Sequence, residues 1–553
     1  MAAVDEYWRG IQQGESETWP IPGFLTEPED PPPLNEPARE MARMLGRLAA
    51  QVDPVTAGYF IGTTYAAALP KELRAELGVY YTPPALAARL LDQASAAGVD
   101  WSDCTVLDPA CGGGAFLAPI AERMVKAGSH LDPADLVAAV ARRLRGFEID
   151  PVAAWMSQVF LEATMLPVCR AANRRLPLVV QVRNSLVHEA VEDSFDLVIG
   201  NPPYGRITLS PRVRARYRAS LYGHANLYGL FTELALRWVR PGGVVAYVTP
   251  TSFLAGEYFK NLRRLLGQSA PPRTVDFITD RKGVFDEVLQ EALLATYARG
   301  APPDTVAVTF VAPVDESTAR ISPVGSFTLP GDPASPWLVP RDAAQNELVR
   351  HLRSMSHRLA EWGYGVSTGP LVWNRHKDQL RDRSGPGCLP LVWAEAVTSE
   401  GSFIFRAEKV NHRPFFKIRP GDDWLVTEES CVLVQRTTAK EQRRRLIATV
   451  LPASLLREHG GAVVENHLNM VRPRRRRPLV TPAAVAAFLN SAVADRIFRC
   501  LSGSVAVSAF ELEALPVPEP GRLKDLEVAV RRHASREEID QICLSLYCAS
   551  SQA

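Results

Sequence analysis

Between Cys104 and Arg299 short apolar runs alternate with helical patterns. "CTVLDPA" reads as a strand and "AFLAPIAERMVKAG" as the helix after it. "RLRGFEID", "LPLVVQVRN", "FDLVIGNPP" and "GGVVAYVTP" read as further strands, with "PVAAWMSQVFLEATML" and "NLYGLFTELALRWV" as helices between them. "TVDFITD" and "EALLATYAR" can complete the sheet. Strand and helix in alternation predict a parallel, doubly wound sheet, which takes its ligands at the carboxyl ends of its strands.

The rhythm occupies only part of the 553 residues, a length that calls for two or three domains. Residues 1–75 combine the Pro-rich "EPEDPPPLNEP" with a helical pattern in "AREMARMLGRLAAQV" and are expected to form an N-terminal helical extension. Residues 76–315 hold the sheet. Past about residue 300 the alternation breaks, and "GSFTLPGDPASPWLVP" reads as a linker into an α+β domain over 335–520. Residues 521–553 read as helical. Eight cysteines without a C-x-x-C pair indicate neither a disulfide framework nor a zinc site. The acidic start "MAAVDEYWRG" has no apolar core of a signal peptide, and no apolar run reaches the length of a membrane span. A soluble, reduced, cytoplasmic protein is expected. The net charge of +1 argues against a uniformly basic coat but leaves room for local basic patches.

Three strand ends carry chemistry. In "VLDPACGGGAF" a strand ends at Asp108, and a Gly-rich turn lets the backbone approach a ligand before a helix begins. The turn lacks the dinucleotide G-x-G-x-x-G spacing, and such turns also serve packing alone. In "GFEID" Glu148 closes the next strand. A lone acidic residue there is more often a helix cap, but one unit after a glycine turn it suits ribose hydroxyls. In "DLVIGNPPYGRI" Asn201 supplies a side-chain carbonyl oxygen, and two prolines supply carbonyls without N–H groups. Tyr204 adds a flat ring. Acceptors beside a ring suit a planar substrate bearing an NH2 group. An Asn-Pro turn that merely ends a strand is the plain alternative.

Taken in order, "DPACGGGAF", "FEID" and "NPPY" resemble the strand ends of S-adenosylmethionine-dependent amino-methyltransferases. "GVYYTPPALAARLLDQA" resembles the segment before the glycine loop in gamma-class DNA adenine-N6 methyltransferases of restriction–modification systems, and the likeness runs over about residues 60–300. It implies a mostly parallel seven-stranded methyltransferase sheet followed by a target-recognition domain. The cofactor would be S-adenosylmethionine, with Tyr81, Thr82 and Pro83 near its methionine end. Asp108, Ala110, Gly112, Gly114 and Phe116 would contribute from the glycine turn, and Glu148 and Ile149 from the next strand end. Asn184 and Ser185 stand at the third. Relatives carry an Asp where this chain has Asn184, whose oxygen still accepts a hydrogen bond but without charge. Asn201 and Pro202 would grip the target amine, with Tyr204 and Phe285 on the two faces of the base. The resemblance implies no metal.

The partner implied is double-stranded DNA with a specific recognition sequence, together with a separate restriction endonuclease acting on the same site. A monomer in the bacterial cytoplasm, associated with the nucleoid, is expected. Three basic clusters, "RITLSPRVRARYR", "RTTAKEQRRR" and "RPRRRRP", fit phosphate contacts, although any one of them alone is most simply a solvated face. Trp362, Tyr364, Trp373 and Trp393 read as core. A protein glutamine N5-methyltransferase shares the NPPY logic, and an RNA base methyltransferase or a bifunctional restriction–methylation enzyme are further alternatives.

Overall fold

Val106, Leu107, Leu197, Val198 and Ile199 are completely buried. Continuous apolar runs of this kind are covered on both faces, so they belong at the middle of a parallel sheet. In the computed structural model they form β1 (Val106–Asp108) and part of β4 (Phe195–Gly200), which pair in parallel. Residues 1–26, 35–70, 73–74, 81–188, 192–279, 291–437, 444–501 and 506–547 are described. They divide into two units, Met1–Thr251 with Tyr258–Ala334, and Ser335–Ala553 with Ser252–Glu257.

In the first unit β2 (Leu144–Glu148) and β3 (Val180–Val182) extend the sheet on one side of β1. The chain then returns to β4 on the other side. A two-residue hairpin, β5 (Arg206–Ile207) with β6 (Ala225–Asn226), stands outside the sheet. β7 (Val239–Pro250), β8 (Pro272–Ile278), β9 (Ala292–Ala298), β10 (Val306–Pro313) and β11 (Ala319–Phe327) follow. The order is β3-β2-β1-β4-β7-β9-β8-β10-β11. β9 runs antiparallel to both its neighbours, and β11 antiparallel to β10. Because the chain leaves β1 in both directions, the ends of β1 and β4 border a crevice.

Two strands go beyond the seven of the sequence reading. β10 and β11 add to the edge at β8, and the first residues of the expected linker, Gly325 to Phe327, lie in β11. The break in the strand–helix rhythm was real, but a hairpin needs no helix to extend a sheet.

The helix Pro151–Ala171 is apolar on all sides. By length and composition it is the one candidate membrane span among the described residues. Its Leu161, Met165 and Cys169 sit in the sheet core, while Trp155, Val159 and Phe160 pack with Val4, Tyr7, Trp8 and Ile61 from the N-terminal helices. The helices Ala2–Gly10 and Pro54–Ala68 therefore cover a face that would otherwise meet water, and they lie within the first unit. Trp155 Nε1 donates to the Pro22 carbonyl at 2.7 Å, which fastens the intervening loop as well.

The second unit is α+β. Tyr364–Thr368, Leu468–Pro473, Val432–Gln435 and Ala448–Val450 form an antiparallel sheet in that order. Helices including Pro482–Leu489 and Ala492–Leu501 share a core with it, which also takes in Leu526 and Cys543 from the C-terminal helices. A second, five-stranded sheet is built on Cys388–Val392 and Ala462–Val464. Trp362, Tyr364 and Trp393 are buried, and Trp373 is partly so.

Candidate active site

Asp108 ends β1 and Gly200 ends β4, side by side. A Cβ on Gly200 would lie 2.6 Å from Asp108 Oδ1, so no larger residue fits unless that carboxylate moves. The glycine turn that follows Asp108 has three distinct requirements. Gly112 (φ +52°) and Gly114 (φ +90°) are left-handed, a conformation that favours glycine. A Cβ on Gly113 would fall 2.5 Å from the Tyr81 ring, and one on Gly114 2.9 Å from Ser157 Oγ.

Glu148 is held by the backbone around it. Its Oε2 accepts the Gly112 N–H at 2.8 Å, and its Oε1 accepts those of Ile149 and Asp150 at 2.8 and 2.9 Å. Burial raises its pKa, and these hydrogen bonds oppose the rise. Asp108 is less well served. Oδ1 accepts the Ala110 N–H at 3.1 Å, but Oδ2 is buried without a partner. Burial pushes its carboxyl up to about 8.

A cavity of about 290 Å³ opens over these strand ends. Tyr81, Thr82, Asp108, Ala110, Gly112, Phe116, Glu148, Ile149, Asn184, Ser185 and Asn201 line it. Pro83, Gly114, Pro202 and Tyr204 are not among the lining residues, and Tyr204 connects to the cavity through its hydrogen bond to Asn201. Phe285 lies outside the described residues. The sequence reading missed Arg183, Leu227 and Phe231, which also line the cavity. Leu227 and Phe231 are four apart on one helix, so helical periodicity pointed to them. Arg183 gave no such signal; its guanidinium lies 4.9 Å from the centre of the Phe147 ring.

At the third strand end the Asn184 oxygen accepts the Leu186 N–H at 3.0 Å, which occupies one of its lone pairs. Ser185 Oγ donates to the Pro109 carbonyl at 2.6 Å and so ties this end to the glycine turn.

The Asn201 side chain is oriented at both ends. Its Nδ2 donates to Thr82 Oγ1 at 3.1 Å, and its Oδ1 accepts the Tyr204 hydroxyl at 2.8 Å. The Val248 carbonyl is 3.3 Å from the same hydroxyl. The Tyr204 ring meets Tyr228 edge-on, 6.2 Å between centres, and Tyr228 stacks on Phe259 at 5.0 Å. Burial raises the Tyr204 pKa, so its hydroxyl stays protonated and donates.

The cavity fits a cationic, partly apolar nucleoside. Asp108 offers a buried carboxylate oxygen with no partner, which suits a ligand of positive charge. Ile149 lines the wall with 49% of its surface exposed, an apolar platform for a flat ring. The Cβ position of Gly112 faces open space, so a ligand can approach its backbone.

The larger unit has the fold of an S-adenosylmethionine-dependent methyltransferase. Residues 173–285 match the Eco57I restriction-modification methylase family. The chain is 27% identical over 343 residues to the Type II methyltransferase M.BsuBI of Bacillus subtilis, a match covering 59% of this chain and 65% of that one. It is 25% identical over 349 residues to M.PstI of Providencia stuartii, covering 62% and 68%. Among solved structures, the Type IIL restriction–modification enzyme MmeI, determined in complex with DNA, superposes with a TM-score of 0.57 at 12% identity. That match covers 98% of this chain and 87% of MmeI, and it bears on the fold alone. The cofactor of the methyltransferase unit is S-adenosylmethionine, a sulfonium cation that Asp108, Glu148 and Ile149 are suited to hold. Among the described residues no cluster of His, Cys, Asp or Glu could hold a metal ion.

Proposed function

We propose that the chain is a site-specific DNA methyltransferase that modifies N6 of a flipped-out adenine in duplex DNA, as the protective enzyme of a restriction–modification system. The observation that carries this reading is Asn201, facing the cofactor cavity with its amide orientation set by Thr82 and Tyr204.

When bound, S-adenosylmethionine supplies an electrophilic methyl group. The protein's own task is to make a poor nucleophile adequate, because the adenine amine delocalises its lone pair into the ring. The Asn201 oxygen uses one lone pair on Tyr204 and keeps another for an amine hydrogen. The Pro202 carbonyl would take the second hydrogen, and no N–H at 202 or 203 competes for the position. Two acceptors on one NH2 group draw the nitrogen toward tetrahedral and free its lone pair. Positioning of this kind needs neither metal nor covalent intermediate. A stacked adenine cannot enter the cleft, so the base must leave the duplex. Tyr204, with Phe285 opposite, would replace its lost stacking, worth about 1–3 kcal/mol per base. The second unit would read the sequence.

Three further points belong to this proposal: adenine rather than cytosine N4, a partner endonuclease cutting the same site, and a monomeric enzyme. Expression in a methylation-free host, followed by sequencing of its DNA with detection of modified bases, tests the reading. N6-methyladenine at one motif is expected. N4-methylcytosine would shift the target, and an unmodified genome would overturn it.

A further inference from the structure

Gly205 to Leu227 is an excursion that begins and ends at the target side of the cleft. Arg206 pairs with Asn226 and Ile207 with Ala225, and the Leu227 N–H donates to the Gly205 carbonyl at 2.9 Å. Ile207 lines the cavity, so the excursion starts at its rim.

Its charge is one-sided. Between Asp196 and Glu233 the sequence contains five arginines and His224 but no carboxylate. A face that only needs solvation mixes both signs. Two of the arginines are engaged by backbone carbonyls: Arg214 donates to that of Gly223 within the excursion and Arg216 to that of His188 outside it. Arg206, Arg212 and Arg218 are exposed.

Beside them lies a cluster that packing alone does not explain. Tyr222 and Tyr258 are 38% and 42% exposed, large for aromatic rings. The Lys260 ammonium sits 3.4 Å from the centre of the Tyr222 ring. Among the described residues it has no carboxylate partner. The His224 ring meets Tyr258 edge-on at 5.2 Å. Gly223 (φ +66°) makes this possible, since a Cβ there would lie 2.7 Å from Tyr258 Cδ1. Phe259, between Tyr258 and Lys260 in the chain, stacks on Tyr228 and so connects the cluster to Tyr204.

We propose that Lys260, seated on Tyr222 beside Tyr258 and His224, binds a backbone phosphate of the DNA strand next to the target base. This rests on the DNA reading given above. A lysine in solution loses rotamer freedom when it grips an anion. Here the ring face already holds the ammonium by a cation–π contact, which reduces that loss. The exposed arginines add to the same field and draw the polyanion toward the cleft. Phosphate contacts set position and register but carry no base identity.

The test is equilibrium binding of the full chain to two DNA duplexes, with and without the methylated motif, over a series of salt concentrations. Lys260→Gln should weaken both complexes by the same factor and make the slope of log affinity against log salt shallower by about 0.9, one phosphate's share. Lys260→Arg should restore the slope. Tyr222→Leu should keep the slope and lose part of the affinity, because the charge remains but is no longer seated. The melting temperature and cofactor binding of each variant control for folding. An unchanged slope in Lys260→Gln would overturn the proposal, as would a loss confined to the duplex carrying the motif. Equal competition by duplex RNA would overturn it too. If the wild-type chain binds DNA with this salt dependence but transfers no methyl group to it, the methylation reading fails and the phosphate site stands.

Discussion

Two neighbouring strand ends of the first unit offer opposite chemistry. After β1 the chain runs Asp108–Gly114, rich in glycine N–H groups and buried carboxylate. After β4 it runs Asn201–Tyr204, where two prolines remove donors and leave acceptors. One end suits a cation and its nucleoside, the other a planar NH2 group. Their separation is set by the sheet: β1 and β4 are paired, and Gly200 lies against Asp108. The donor end and the acceptor end lie this close because no side chain stands at 200.

The hardest test of this division is Asn201→Ala, which removes the acceptor and leaves the donor end intact. Methyl transfer should fall by at least about 10²–10³-fold, as for loss of a single preorganised polar group at a transition state. Cofactor affinity, read by calorimetry, should stay near wild type. Equal loss of both would mean that Asn201 holds the cofactor site together.

Gly200→Ala strikes the seam instead. The added Cβ forces Asp108 aside or the strand ends apart, at a cost of roughly 1–3 kcal/mol for overpacking. Both cofactor binding and transfer should decline together, with a lower melting temperature. A variant with one function impaired and the other intact would show that the two ends are independent.

Asp108→Asn sharpens the donor end through pH. The native carboxyl is raised to about 8 from an ordinary 3.8, so its ionisation opposes folding. The stability it contributes is full below pH 4 and is lost as pH rises through about 8. Glu148 is raised in the same cleft, and burial also raises Asp5, Glu122 and Glu162, so a residual slope belongs to these carboxyls together, while Cys111 and Tyr247 are raised and stay neutral. Denaturant melts of the ligand-free chain at pH 5 to 8 should show a shallower decline for Asp108→Asn. A cation that pairs with Asp108 releases its proton, so cofactor affinity should rise through the same window in the wild type and not in the variant.

The strand ends were legible in the sequence because backbone chemistry is local. Only glycine adopts the turn at 112 and 114 freely, and only proline removes an N–H. Asp108, Glu148 and Asn201 could be placed from those punctuation marks. What closed over them was less legible. Pro151–Ala171 is apolar all round, and nothing in its letters says that N-terminal helices cover one face. The edge hairpin β10–β11 runs into the Pro-rich stretch that reads as a boundary. Thr82 was placed by resemblance at the cofactor, and its hydrogen bond to Asn201 joins residues 119 positions apart. Lys260 and Tyr222 meet only through tertiary packing.

Tyr204→Phe is the finest cut across the comparison, since it keeps the ring and removes one hydrogen bond. The hydroxyl donates to Asn201 Oδ1 at 2.8 Å, and that bond has two opposing effects. It fixes the amide so that Oδ1 points where an amine is needed. It also draws electron density from the oxygen that must accept the amine hydrogen. A neutral hydrogen bond contributes about 0.5–1.5 kcal/mol, so either effect is limited to roughly tenfold. Thr82 still holds the Nδ2 end in the variant, which keeps the amide from turning over. Orientation is then only partly lost, and the expected result is a two- to fivefold fall in kcat, about what remains of that range after Thr82 acts. Cofactor affinity and KM for DNA should not change, because the ring face is intact. A rise in kcat would show that the hydroxyl restrains the acceptor more than it orients it. Thr82→Val in the Tyr204→Phe background should then release the amide and lower kcat further than the sum of the two single changes, a coupling that a double-mutant cycle reads directly.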